Sequence, residues 1–131
     1  SQEHLYDLCQ MAQENGVEKS YIHAFTDGRD CDPKSGALFL DELEKNISNT
    51  PTKVASIIGR YFAMDRDKRW ERIKKAYDLM VNGVGEKFNS ATDVFESSYS
   101  NNITDEFIEP SLILEDAKIE DNDVVICFNF K

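Results

Sequence analysis

Ser20-Tyr21-Ile22-His23-Ala24-Phe25-Thr26-Asp27-Gly28-Arg29-Asp30-Cys31-Asp32-Pro33 is the stretch on which the reading of this chain turns. Its first seven residues are rich in aromatic and β-branched side chains, which suit a pleated strand, and the remainder are charged or turn-forming. The run predicts a strand over 20–26 that delivers a loop over 27–33. Ser35-Gly36 then opens an amphipathic helix with Leu38, Phe39, Leu43 and Ile47 at helical spacing, ending in the polar cluster 46–50.

The same order recurs downstream. Lys53-Val54-Ala55-Ser56-Ile57-Ile58-Gly59 is a short apolar run, residues 60–67 read as its loop, and Trp70, Ile73, Tyr77 and Met80 mark a helix starting near Asp67. Upstream, Leu5, Leu8, Cys9, Met11 and Ala12 share one side of a helix over about 2–15 that Asn15-Gly16 stops. Beyond the Asn82-Gly83 break the pattern gives a helix around Ala91 to Tyr99 and extended segments near Phe107-Ile108, over 111–114 and over 124–130. Two strand–loop–helix units imply the α/β class: a single domain with a mixed, largely parallel sheet flanked by helices. Nothing resembling a linker or internal repeat divides residues 1–131, and 131 residues suit one core. An apolar strand that runs into the last residue, and a first helix with no strand feeding it, suggest a domain excised from a longer protein.

Composition bounds the partners. A net charge of −10 repels phosphate polymers and anionic lipid, so neither nucleic acid nor membrane is expected as a partner. No apolar run has the roughly 18–20 residues of a membrane span. Cys9, Cys31 and Cys127 form neither a disulfide framework nor a zinc knuckle, which favours a reducing cytoplasm. Against the acidic background all five arginines, Arg29, Arg60, Arg66, Arg69 and Arg72, fall between positions 29 and 72.

Ligands of open α/β sheets bind beyond the carboxyl ends of the strands, where both arginine-bearing loops lie. An arginine fork donates two parallel hydrogen bonds to phosphate or carboxylate and keeps its charge near neutral pH. Two readings stand side by side: the loop arginines grip a small dianion, or they pair internally with Asp27, Asp30, Asp32, Asp65 and Asp67. Arg69 and Arg72 read as a solvated helical face beside Glu71 and Asp78. His23, alone in its strand, reads as a hydrogen-bonded core or rim residue. The 27–32 aspartates do not make a calcium loop, since Pro33 interrupts it and Leu38 stands where its closing glutamate belongs. Gly83-Val84-Gly85 is not a dinucleotide fingerprint, and neither a Lys-Ser/Thr phosphate loop nor a nucleophile elbow is present. These residues bind rather than react.

The residues also carry a resemblance. His23 to Asp30, continuing to Asp32-Pro33-Lys34-Ser35, resembles the "HAFxDGRDxxPxS" run of the cofactor-independent phosphoglycerate mutases, and Gly59 to Arg72 is similar to their "GRYYAMDRDxRWxR" block. Thr104 to Pro110 resembles "TDEFxxP" and Asp123 to Phe130 the strand ending "FNFR", so the likeness spans nearly the whole chain. The resemblance implies an isomerase of glycolysis and gluconeogenesis that interconverts 3-phosphoglycerate and 2-phosphoglycerate. In that family a phosphatase-like lobe with two manganese ions and a nucleophilic serine moves the phosphoryl group, while a second lobe holds the glycerate. It implies that Arg29, Asp30, Arg60 and Arg66 bind substrate, that this chain is the substrate-binding lobe, and that it carries neither cofactor nor metal. Its partners would be the substrate and the catalytic lobe of the same parent. The family's "GGVH" histidine would fall before Ser1, and its "RxDR" pair would begin at the position of Lys131, so the chain by itself is expected to be inactive. The alternative is a non-catalytic anion-binding or interaction domain that retains the fold.

Overall fold

In the computed structural model, residues 2–129 are described. The elements run α1 (Gln2–Glu14), β1 (Ser20–Thr26), α2 (Gly36–Ile47), β2 (Thr52–Gly59), α3 (Arg60–Ala63), α4 (Trp70–Asn82), β3 (Glu86–Lys87), α5 (Ala91–Ser100) and β4 (Ser111–Leu112), with a 3-10 turn at Asp105–Phe107. The strands form one sheet in the order β1-β2-β4-β3. β1 and β2 are parallel, as are β3 and β4, while β2 and β4 are antiparallel. The mixed, largely parallel α/β sheet expected from the sequence is what the chain forms.

β2 is the spine. All of its residues but Lys53 are buried, as the near-continuous apolar run requires of a strand covered on both faces. Consecutive strand residues point to opposite faces, and Ile57 and Ile58, both fully buried, accordingly feed two separate cores. Ile57 joins Leu40, Leu43, Ile47, Val94, Phe95 and Ile108 with residues of α1, whereas Ile58 joins Phe62, Ala76, Leu79 and Leu112. Burying each of these large side chains is worth about 1.5–3 kcal/mol.

Several expectations need correction. α2 buries Leu40, Leu43 and Ile47, leaving Leu38 and Phe39 exposed. α4 faces the sheet with Ala76 and Leu79, while Trp70 and Tyr77 are 69% and 56% exposed. The helix packs against α3 and the sheet through Ala76 and Leu79, which meet Phe62 in the core. Residues 60–63 form a helical turn instead of open loop. Phe107 lies in a 3-10 turn instead of an extended segment, and only Ser111–Leu112 of 111–114 pairs as strand. Residues 124–129 are irregular, with Val124, Val125 and Ile126 exposed; a strand requires a hydrogen-bonding neighbour, and the sheet of described residues offers this segment none. Phe130 lies outside the described residues.

His23 behaves as its position in the strand suggests. Its Nδ1 lies 2.7 Å from the Ser56 hydroxyl and its Nε2 3.1 Å from the Ala117 carbonyl. The carbonyl can only accept, so Nε2 carries the proton and the Ser56 hydroxyl donates to Nδ1. Burial lowers the pKa of His23, against the opposing pull of the Ala117 carbonyl. An unfolded histidine takes up its proton near pH 6.5, so below that point the unfolded chain binds more protons than the folded one and stability falls with pH. Chemical denaturation at pH 7 and pH 5.5 is expected to show a loss on acidification that is smaller in His23→Gln; equal losses in the two proteins would contradict this account.

Candidate functional site

The two parallel strands end together, with Thr26 opposite Gly59. The chain leaving each strand therefore emerges at the same sheet edge, and loop 27–35 lies beside the start of α3. The first loop is shaped by its own aspartates. Asp27 Oδ1 accepts from the Arg29 and Asp30 amides, each at 3.1 Å, and Asp32 Oδ1 accepts from the Lys34 amide at 2.8 Å. Such side-chain-to-backbone bonds add to the backbone turn bond from the Ser35 amide to the Asp32 carbonyl at 3.1 Å. Gly28 has φ +65°, a left-handed conformation that glycine enters freely.

Arg60, the first residue of α3, closes the gap between the loops. Its Nη1 donates to Asp27 Oδ1 at 2.7 Å and to Asp30 Oδ2 at 2.8 Å. Burial would raise the pKa of the Asp27 carboxyl, but the Asp30 amide, the Arg60 guanidinium and the Arg29 amide together hold it below the usual carboxylate range. The bonds it donates to Asp27 and Asp30 raise the pKa of the Arg60 guanidinium in turn. Both bonds use one nitrogen, so among the described residues the other donors of the fork are left for a further acceptor.

The second loop repeats the device with Asp65, whose side chain is 2% exposed. It accepts from the Arg69 amide at 2.9 Å, the Asp67 amide at 3.2 Å and Arg69 Nη1 at 2.8 Å. Burial opposes ionisation, yet the Arg69 amide and guanidinium hold the Asp65 carboxyl low. Arg69 and Arg72 are thus not a plain solvated face. Arg69 ties the loop to the start of α4, and the Arg72 guanidinium lies 3.7 Å from the centre of the Tyr61 ring.

Of the four residues marked from the sequence, the structure joins Arg60 and Asp30 directly. Arg29 stands beside them on the same loop and reaches Glu106, with Nη1 3.7 Å from Oε1. Arg66 is exposed on the second loop, and no ion pair or hydrogen bond ties it to the other three among the described residues. Two clefts in the chain lie elsewhere, one beside Ile47, Thr52 and Leu114 and one beside Lys75, Gly85 and Pro110. Among the described residues no cluster of three or more His, Cys, Asp or Glu side chains is placed to hold a metal ion. No helix among them is long and apolar enough to cross a membrane.

Sequence reasoning missed Asp105 and Glu106. The Asp105 side chain is buried and accepts from the Gly36 amide at 2.6 Å and from the Tyr99 hydroxyl. Its backbone accepts from the Thr26 hydroxyl at 2.6 Å and donates to the Pro33 carbonyl at 2.9 Å. Asp105 thus pins both ends of loop 27–35. Burial, reinforced by Asp32 and Asp27, raises the pKa of its carboxyl despite the Tyr99 and Gly36 bonds, and burial beside that carboxylate likewise raises the pKa of Tyr99. The available signal was the likeness of Thr104 to Pro110 to "TDEFxxP", which by itself gave the acidic pair no role.

The chain has counterparts among known proteins. The family model described as BPG-independent PGAM N-terminus matches residues 1–131. A 2,3-bisphosphoglycerate-independent phosphoglycerate mutase of Flavobacterium psychrophilum is 57% identical over 98% of this chain and 26% of its own length. The enzyme of the same name from Clostridioides difficile is 46% identical over 98% of this chain and 26% of its own. Among solved structures, a Leishmania mexicana phosphoglycerate mutase crystallised at low cobalt concentration superposes with a TM-score of 0.89. It is 28% identical, and the match covers 95% of this chain and 25% of that one. The chain therefore spans about a quarter of the length of these relatives. With the matched model running its whole length, the chain belongs to the BPG-independent PGAM N-terminus family, the N-terminal part of the cofactor-independent phosphoglycerate mutases.

Proposed function

We propose that the chain is the substrate-binding lobe of a phosphoglycerate mutase that interconverts 3-phosphoglycerate and 2-phosphoglycerate in the cytoplasm, within glycolysis and gluconeogenesis. The observation that carries this reading is the meeting of two strand ends at Arg60, which bonds Asp27 and Asp30 while its remaining donors face no described partner. Arg29, Arg60 and Arg66 clamp the carboxylate and phosphate of the glycerate, and Asp30 accepts a hydrogen bond from its hydroxyl, orienting it for re-phosphorylation. A fork fixed by two carboxylates is ordered before the ligand arrives, so less conformational freedom is lost on binding.

The phosphoryl group would be parked on a serine of a catalytic lobe outside this chain, where two manganese ions would be held; among the described residues here no side-chain cluster is placed to hold a metal. The relatives' greater length leaves room for that lobe. Closing the two lobes over the glycerate excludes water during transfer. Alone, the chain binds weakly and does not turn over substrate.

The competing role for the same arginines is purely internal pairing, which Asp27 and Asp30 already supply for Arg60 and Glu106 for Arg29. Arg60→Ala and Arg66→Ala in the full-length protein separate the two. Losing one partner of a desolvated charge pair costs about 2–5 kcal/mol, so kcat/KM for 3-phosphoglycerate should fall by about thirtyfold or more. Unchanged turnover with a lowered melting midpoint would assign these arginines to structure alone. In the isolated chain, 3-phosphoglycerate at millimolar concentration should move the NMR signals of Arg29, Arg60 and Arg66.

A further inference from the structure

The Glu106 backbone lies against Gly28 of the first loop and against Gly59, the residue before Arg60. A methyl group added at Gly28 would sit 2.7 Å from the Glu106 amide nitrogen, and one added at Gly59 would sit 2.2 Å from the Glu106 carbonyl oxygen. Its backbone is therefore wedged between the turn that carries Arg29 and the residue that precedes Arg60. The side chain leaves this wedge toward Arg29, and the exposures of the two partners are unequal: 69% for the arginine and 18% for the glutamate. The guanidinium is the outer member, and the carboxylate stands behind it on a fixed stem.

We infer that Glu106 is a positioning residue that holds the Arg29 guanidinium in place for the anionic ligand. This rests on the reading of Arg29 as a ligand-binding group. A long arginine side chain without an anchor samples many rotamers in water and must give them up on binding. Asp30, Asp27 and Arg60 fix one another, but Glu106 is the only ion-pair partner of the Arg29 side chain among the described residues. Glu106 itself costs little to order, because Thr104, Asp105 and Ile108 hold its turn: the Phe107 amide bonds the Thr104 carbonyl and the Ile108 amide bonds the Asp105 carbonyl. A carboxylate behind the guanidinium is also farther from an incoming anion than the charge it orients, so its repulsion of the anion is weaker than the attraction of Arg29.

The test is steady-state kinetics of the full-length protein on 3-phosphoglycerate. Glu106→Gln keeps the shape and removes the charge; KM should rise about three- to tenfold with kcat within about twofold, the pattern of a lost uniform binding contribution. Glu106→Asp should restore part of the loss, and the melting midpoint should stay near that of the parent. Because the effect runs through Arg29, the Glu106 substitution should change nothing further in an Arg29→Ala background. A KM that is unchanged or lower in Glu106→Gln, or one that rises equally in the Arg29→Ala background, overturns the inference. An Arg29→Ala enzyme with unchanged KM would overturn the ligand-binding reading of Arg29 itself, whereas a raised KM there with none in Glu106→Gln overturns only the role of Glu106.

Discussion

Replacing Gly59 by alanine is expected to leave the chain unfolded or insoluble, with a stability loss above about 4 kcal/mol. Gly59 has ordinary extended dihedrals, φ −73° and ψ 150°, so conformational freedom is not what the position demands. Space is. An added methyl group would lie 2.2 Å from the Glu106 carbonyl oxygen, 2.6 Å from its carbon and 2.7 Å from the Ile108 amide nitrogen. All three are backbone atoms and cannot rotate away. The same contact is bonded, since the Gly59 amide donates to the Ile108 carbonyl at 2.8 Å. Relief by moving 106–108 outward would break that bond and pull fully buried Ile108 from the core. Gly16→Ala provides the contrast: φ is +78° there, but nothing lies within 4 Å of the added group, and the left-handed strain alone costs about 1–2 kcal/mol. Far-ultraviolet circular dichroism during urea unfolding compares the two directly. A Gly59→Ala midpoint at or above that of Gly16→Ala would remove the crowding argument.

How much of this was legible beforehand depends on whether a feature is local. β1, its loop and α2 follow from a β-favouring run, an Asp-Gly turn and a helical period in immediate succession, and each is set by neighbours in sequence. Helix faces were less secure. In α4 the period of Trp70, Ile73, Tyr77 and Met80 is real, but period alone does not say which of two apolar stripes meets the sheet; the choice falls to Ala76 and Leu79, which meet Phe62 of α3 in the core. Residues 124–129 show the converse, since apolar β-branched composition is not a strand without a partner edge. In the site, Arg29, Asp30 and Arg60 were visible as charges on strand-end loops, and Asp27 and Asp30 as their possible counter-ions. Asp105 and Glu106 were not, because their importance comes from the distant segments they touch. A buried carboxylate in an aperiodic run looks like any surface aspartate until Thr26, Pro33, Gly36 and Tyr99 are seen around it.

Asp105→Ala is expected to cost about 3–5 kcal/mol, the range for stripping one member from a buried polar cluster. The Gly36 amide is the first of α2, and Ser35 supplies no side-chain cap, so Asp105 Oδ2 is the acceptor that this helix start uses. Alanine orphans that amide and the Tyr99 hydroxyl, and each unsatisfied buried donor costs about 1–3 kcal/mol. Asp105→Asn retains an oxygen for Gly36 and a group that can bond Tyr99, and gives up only the ionisable proton. The two variants should therefore separate by more than about 1 kcal/mol. Their pH dependence carries a distinct sign. The carboxyl of Asp105 is raised by burial above its unfolded value near 3.8, so the folded state binds the proton more readily, and this group costs stability as pH rises through its folded pKa. Asparagine has no such proton. The stability gap between the parent and Asp105→Asn should consequently be widest at low pH and narrow as pH rises, opposite to the trend for Asp27, whose lowered carboxyl adds stability above its unfolded pKa. Unfolding midpoints measured from pH 3 to pH 7 on both proteins decide the matter, and a gap that widens with pH would mean that ionised Asp105 is a net attraction at the α2 start, outweighing its burial.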